Sequence, residues 1–178
     1  MHDEQRLFEK VCLEGFQAGL AWITILRKRT AFREAFANFD PQVISHWGDD
    51  VIGQLLNNAG IIRHRGKIQA AINNAKALLH MHEGGETLEQ LVWSHAPARH
   101  EPITKIGDIK PLTPESTALS KELRKRGFNF VGPTTMYAFM QSMGVVNDHV
   151  VGCERQTNSS TAHAVTSGAG ATRLSGGG

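Results

Sequence analysis

The sequence predicts an all-α fold, with many short helices around one core. Three observations carry this. Apolar residues recur at three- and four-residue spacing along most of the chain, no segment shows the two-residue alternation of a half-buried strand, and start and stop signals for helices follow one another at short intervals. With 178 residues, 40% of them hydrophobic, the chain has enough apolar surface for one full core, so a single domain is the expectation.

The elements follow in order. Asp3 or Glu4 opens a helix in which Leu7, Phe8, Val11 and Phe16 share a face, and Gly15 to Gly19 ends it. Leu20 to Leu26 is short and almost wholly apolar; with no partner strand elsewhere it reads as a buried helix. Ala31 to Phe39 continues helically with Phe32, Phe36 and Phe39 on one face, and Asp40-Pro41 breaks the chain and caps the next segment. Val51 to Leu56 forms a short helix stopped by Asn57-Asn58-Ala59-Gly60. A long one runs from Ile62 to Gly84-Gly85, and Thr87 to Trp93 makes another. Pro97, Pro102, Gly107, Pro111 and Pro114 mark a long connection, followed by helices over Pro114 to Arg126 and Pro133 to Met143. From Glu154 the composition turns to Ser, Thr, Ala and Gly, which cannot bury enough surface to offset ordering entropy. Residues 154–178 are therefore expected to be a disordered tail, and residues 1–153 the folded domain.

Charge narrows the function. The formal net charge of +2 does not by itself mark a nucleic-acid binder, but the positive residues gather in Arg27-Lys28-Arg29, Arg63-His64-Arg65-Gly66-Lys67 and Arg124-Lys125-Arg126. The last knot adjoins Gly127 and Gly132, which bracket a short turn where missing Cβ atoms permit positive φ and let a phosphate approach the main chain. Pro133 suits the first turn of the next helix, so unpaired N–H groups around Thr134 would face an anion, with Lys121, Lys125 and Arg126 adding mobile charge. An ordinary αα-hairpin with a solvated basic face is the alternative. Cys12 and Cys153 lie far apart, which argues against a disulfide framework. The lack of a membrane-length apolar run and of a signal-peptide centre leads to the expectation of a soluble, cytoplasmic protein.

Few residues carry recognisable chemistry. Glu14 stands where two helices meet, either as a dipole partner for the second helix or as a functional acid. Trp22 is a core residue or a platform for a flat ligand; beside a carboxylate it would suit a polar heteroaromatic ring. His149 and Cys153, one helical turn apart, could share a zinc ion, but two donors do not make a tetrahedral site, and spacing alone leaves the pair incidental. No Walker loop, G-x-S-x-G elbow, H-E-x-x-H or Cys-x-x-Cys pair is present.

Four blocks, Leu7-Phe-Glu-Lys-Val-Cys-Leu-Glu-Gly-Phe-Gln-Ala-Gly-Leu-Ala-Trp-Ile-Thr-Ile-Leu-Arg-Lys-Arg29, Gly60-Ile-Ile-Arg-His-Arg-Gly-Lys-Ile68, Lys125-Arg-Gly-Phe-Asn-Phe-Val-Gly132 and Val146-Asn-Asp-His-Val-Val-Gly-Cys153, closely resemble DNA-3-methyladenine glycosylase I in content and order. The resemblance implies the helix-hairpin-helix DNA glycosylase architecture and monofunctional hydrolysis of the N-glycosidic bond of 3-methyladenine in alkylated double-stranded DNA, by a monomer. It implies that Glu14 is the catalytic acidic residue of the base pocket, working as an anion, and Trp22 one of its walls. Gly19 and Leu20 would lie in the turn that meets the lesion. The glycine hairpin with Lys121, Lys125, Arg126, Gly127, Gly132 and Thr134 would bind DNA, and His149 and Cys153 would be half of a structural zinc site. In the family a preceding segment supplies the other two zinc ligands and further aromatic residues, so the resemblance also leads to the expectation that this chain lacks that segment. A truncated, non-catalytic DNA-binding protein is the competing reading.

Overall fold

The computed structural model describes residues 3–98 and 111–146. Among these residues there are eight α-helices, one short 3-10 turn and no strand. The expected boundary at residues 153 and 154, the tail, and the metal pair His149 and Cys153 lie outside the described residues.

Helix α1 (Glu4–Gln17) starts where the sequence predicts it. Asp3 has extended backbone and its carboxylate accepts from the Arg6 N–H, satisfying one of the donors left over at a helix start. Its inward face carries Leu7, Phe8, Val11, Cys12, Leu13 and Phe16, all buried. Helix α2 (Trp22–Ala35) opens two residues later than the apolar run and continues through Ala31, so two expected segments are one helix. It stops at Ala35 rather than reaching Phe39. Ala37, Asn38 and Phe39 instead take left-handed conformations in a 3-10 turn, at a cost of roughly 1–2 kcal/mol per residue. That turn redirects the chain while Phe39 still stacks on Phe36, with ring centroids 5.5 Å apart and planes within 6°. Phe16, Phe32, Phe36 and Trp47 complete an aromatic cluster joining α1 to α2.

Helices α3 (Pro41–Ile44) and α4 (Asp49–Asn57) are short, the first capped by Asp40 as the sequence predicts. The long helix α5 (Arg65–Glu83) begins three residues later than predicted, because the imidazole of His64 takes the cap position and accepts from the Lys67 N–H at 3.2 Å. Helix α6 (Leu88–Ser94) follows, capped by Thr87. Helix α7 (Pro114–Lys125) starts with a reciprocal capping box between Thr113 and Ser116, and α8 (Pro133–Met143) ends at the left-handed Gly144. α1 lies at the centre, packing on α2, α5, α6 and α8.

One buried ion cluster ties α1 to α2. Glu9 is 4% exposed, and its carboxylate accepts from Arg33 through two bonds of 2.9 and 3.0 Å and from Arg29 at 2.8 Å. Burial pushes the Glu9 carboxyl up, yet the Arg33 and Arg29 guanidinium groups outweigh it and hold the group below its ordinary 4.5. A carboxyl with a depressed folded pKa stabilises the fold above its unfolded pKa and loses that contribution as pH falls through the folded value. Both arginines remain partly solvated, so Glu9→Gln should cost about 2 kcal/mol at neutral pH, less than a fully buried pair. Urea denaturation should show the gap between variant and wild type closing as the pH is taken below 4.5.

Candidate functional site

Three residues of α1 spaced a turn apart, Lys10, Glu14 and Gln17, line one wall of a cavity of about 320 Å³. Trp22, at the first position of α2, forms the second wall; Ala138, Gln141 and Ser142 of α8 form the third. Of the two readings of Trp22, the core position is excluded, since the ring is half-buried and faces this cavity. Glu14 is 3% exposed and makes an ion pair of 3.0 Å with Lys10. It does not cap α2, whose start has no side-chain cap. Burial raises the Glu14 carboxyl above 4.5, and the Lys10 ammonium offsets only part of that rise. Burial likewise lowers Lys10, against the pull of Glu14. The Lys10 ammonium lies 3.7 Å from the centroid of the Trp22 ring, so carboxylate, ammonium and indole form one contiguous group. Sequence reasoning passed over Lys10; its helical spacing to Glu14 was the available signal.

The geometry of this cavity depends on the turn between α1 and α2. When α1 stops, its last carbonyls lack helical partners, and its last turn carries no basic side chain. Lys67, near the start of α5 and 9% exposed, supplies the missing donor: its ammonium donates to the carbonyls of Phe16 at 2.9 Å and Ala18 at 2.7 Å. Gly19 then takes φ +80°, and the Leu20 carbonyl accepts from the Gln17 amide at 2.8 Å. Leu20 and Ile23 protrude into solvent beside the cavity, 39% and 52% exposed.

The hairpin between α7 and α8 is anchored by Phe128 and Val131, both buried. Gly127 has φ +92°, as a glycine turn predicts. Gly132 does not: its φ is −61°, and a Cβ there would meet only ordinary contacts, so the expectation of positive φ at this second glycine is corrected. The other left-handed residue of the turn is Phe130, φ +55° and 42% exposed. Buried Asn74 of α5 holds the loop by its main chain, accepting from the Asn129 N–H at 2.7 Å and donating to its carbonyl at 3.2 Å. Gly15 leaves room for the loop on α1, since a Cβ there would lie 3.2 Å from the Phe130 Cβ. Pro133 begins α8 with no side-chain cap, which leaves the first N–H groups, including that of Thr134, without one.

The three basic knots are largely engaged within the protein. Arg29 pairs with Glu9, Lys28 donates to the Ala59 carbonyl at 2.8 Å, and Arg65 pairs with Asp49. At the hairpin, Arg126 bridges Glu86 and Glu122, both at 2.7 Å, and Lys125 pairs with Glu122 at 2.6 Å. Those two cations, Lys125 first, pull the Glu122 carboxyl down to about 2. Lys121 and Arg124 are exposed, and the Arg124 guanidinium comes within 3.7 Å of where a Cβ on Gly132 would stand, beside the start of α8. Arg124 was part of the predicted knot but not singled out; only folding shows which of its members faces the helix start. Among the described residues no group of three or more His, Cys, Asp or Glu side chains could hold a metal ion, and no helix is long and apolar enough to cross a membrane.

An all-α frame with a glycine hairpin between α7 and α8, and a separate cavity that joins a buried carboxylate to an indole, matches the fold of solved 3-methyladenine DNA glycosylases. The sequence model for methyladenine glycosylase matches residues 1–156. The chain is 51% identical over 155 residues to DNA-3-methyladenine glycosylase 1 of Escherichia coli strain K12, covering 85% of this chain and 82% of that protein. A crystal structure of 3-methyladenine DNA glycosylase I superposes with a TM-score of 0.83 at 49% identity, over 86% of each chain. A structure of 3-methyladenine recognition by the Staphylococcus aureus 3-methyladenine DNA glycosylase I gives 0.83 at 30% identity, over 88% of this chain and 84% of that one. The chain belongs to the methyladenine glycosylase family, of the DNA-3-methyladenine glycosylase I type. The family match begins at residue 1 and so does not support the expectation of a missing preceding segment.

Lys67→Met should remove both bonds to the end of α1 while keeping much of the side-chain volume. A loss of about 2 kcal/mol is expected in urea denaturation, the usual worth of hydrogen bonds from a charged donor.

Proposed function

We propose that this protein is a base excision repair glycosylase that hydrolyses the N-glycosidic bond of 3-methyladenine in alkylated DNA and leaves an abasic site. The observation that carries this beyond family membership is the single cavity in which Glu14 and Trp22 stand together. Methylation at N3 makes the nucleobase a cation, which a buried carboxylate favours over neutral adenine. In this reading the extruded base stacks on Trp22 and Glu14 is the catalytic residue. It accepts hydrogen bonds from the base and stabilises positive charge on the sugar as the C1′–N9 bond opens. The bond's electron pair goes to N9, quenching the charge on the ring; water adds to C1′ and gives up a proton. Because the leaving base is already activated, no second carboxylate and no lysine nucleophile is needed, in keeping with a monofunctional hydrolase.

Double-stranded DNA would be held by phosphate contacts at the hairpin: the open N–H groups around Thr134, the Gly127 to Gly132 main chain, and the ammonium and guanidinium groups of Lys121 and Arg124. Lys125 and Arg126 contribute less to this surface, because Glu122 and Glu86 already neutralise them. In this reading the turn at Gly19 and Leu20, whose apolar side chain is exposed, would fill the gap left by the extruded nucleotide. The structural zinc implied by family resemblance rests in this chain on His149 and Cys153. These are donors of the right chemistry but half of a tetrahedral set, and no step above involves the metal.

Wild-type protein incubated with methylated duplex DNA should release free 3-methyladenine, and Glu14→Gln should lower the single-turnover rate about 100-fold or more. No release with DNA binding intact would leave the non-catalytic DNA-binding reading instead. Because Glu14 acts ionised and burial raises its pKa, the wild-type rate should fall with decreasing pH in a range above 4.5. Arg124→Ala should weaken DNA binding and reduce the salt dependence by about one counterion. Arg126→Ala should chiefly lower stability, which a salt titration of binding and a thermal melt will separate.

A further inference from the structure

Both groups expected to read the base are already engaged by the protein itself. Lys10 Nζ stands 3.0 Å from Glu14 Oε1 and 3.7 Å from the centroid of the Trp22 ring, in the wall of the cavity, with its side chain only 13% exposed. A base stacked on the same face would place its atoms about 3.5–4 Å from the indole, the optimum for van der Waals contact, where the ammonium now lies. Lysine and base therefore cannot occupy that face together. The lysine stem is long and unbranched and the cavity is open to solvent at its rim, so the ammonium has a way out.

We propose that Lys10 is an internal occupant of the base site: its ammonium holds the place of the cationic base against Trp22 and Glu14, is displaced when the lesion enters, and returns as the product leaves. This rests on the glycosylase reading above. Its logic is the change of charge during the reaction. The methylated base enters as a cation and can replace the ammonium beside Glu14 without leaving a buried carboxylate unpaired. Once the C1′–N9 bond has broken and its electron pair resides on N9, the base is neutral and no longer balances Glu14. The ammonium does, and re-forms its ion pair and its contact with the ring. Lys10 is thus a specificity and product-release residue, distinct from the role of Glu14 on the sugar and of Trp22 as a stacking wall.

The test is the affinity for free 3-methyladenine, measured by calorimetry on the intact protein. Lys10→Met and Lys10→Gln remove the competing cation at similar length and should bind the free base about tenfold more tightly, the equivalent of one cation–π contact and its ion pair. Excision by both should also be inhibited at correspondingly lower concentrations of added free base. Lys10→Arg, which keeps a cation on the ring, should retain the weaker wild-type affinity. A merely structural Lys10 would lower stability without tightening binding. If neither Met nor Gln binds the base more tightly than wild type, or if no form binds it, the proposal is overturned. Tighter binding by both variants in a protein that releases no base from methylated DNA would instead overturn the glycosylase reading and leave the occupancy of the pocket by Lys10 standing.

Discussion

The ammonium of Lys67, buried against the carbonyls of Phe16 and Ala18, is the contact on which the rest of the site depends. A helix that stops inside a protein leaves carbonyls needing donors, and α1 has no basic side chain in its own last turn. The donor comes from another helix, and this fixes the direction in which the chain leaves α1 and therefore where Trp22 stands relative to Glu14. Seven residues along, Asn74 on the same face of α5 holds the main chain of Asn129 in the hairpin. Two helical turns separate these side chains, about 10 Å along the axis. One rigid helix thus sets both the turn beside the base cavity and the loop expected to meet the DNA backbone.

The same economy of charge runs through the surface. Most cations in the predicted basic knots have acidic or carbonyl partners in the fold: Arg29 with Glu9, Lys28 with the Ala59 carbonyl, Arg65 with Asp49, Lys67 with the Phe16 and Ala18 carbonyls, Lys125 with Glu122, and Arg126 with Glu86 and Glu122. Among the described residues the exposed cations near the hairpin without an acidic partner are Lys121 and Arg124, the latter close to the start of α8. A count of positive residues overstates the field this surface projects, because pairing within the fold cancels charge that a linear reading adds up. An anion at the hairpin would be attracted by its open N–H groups at least as much as by its net charge.

In the cavity the opposing effects are burial and pairing. Burial works against both charged forms, raising Glu14 and lowering Lys10, and each is the other's counterweight. A carboxylate in such a place attracts any cation that can reach it. The same desolvation would favour a charged base over a neutral one, and the indole adds an attractive face for a cation, as it does for Lys10.

The start of α1 at Asp3, the break at Asp40-Pro41, the end of α5 at the glycine pair and the paired helices around the hairpin were all legible in the sequence, because caps, prolines and glycines act within a few residues of themselves. The stop of α2 was not legible, because the left-handed turn at Ala37 to Phe39 is held by the stacking of Phe39 on Phe36 rather than by local preference. The later start of α5 was missed because a histidine, an unusual cap, occupies its cap position. Among the site residues, Glu14 and Trp22 were singled out from type and position, but whether each was core, cap or wall depended on which helices met there. The sequence by itself therefore determined the helical class, most helix ends and, through its four family blocks, the kind of protein. Only the tertiary structure decided that Lys10 lies on the Trp22 ring, that Lys67 closes α1 and that Arg124 rather than Arg126 is open at the hairpin. Each of these is a contact between side chains and partners whose placement arises from the packing of whole helices, and spacing along one helix does not determine what lies across from it.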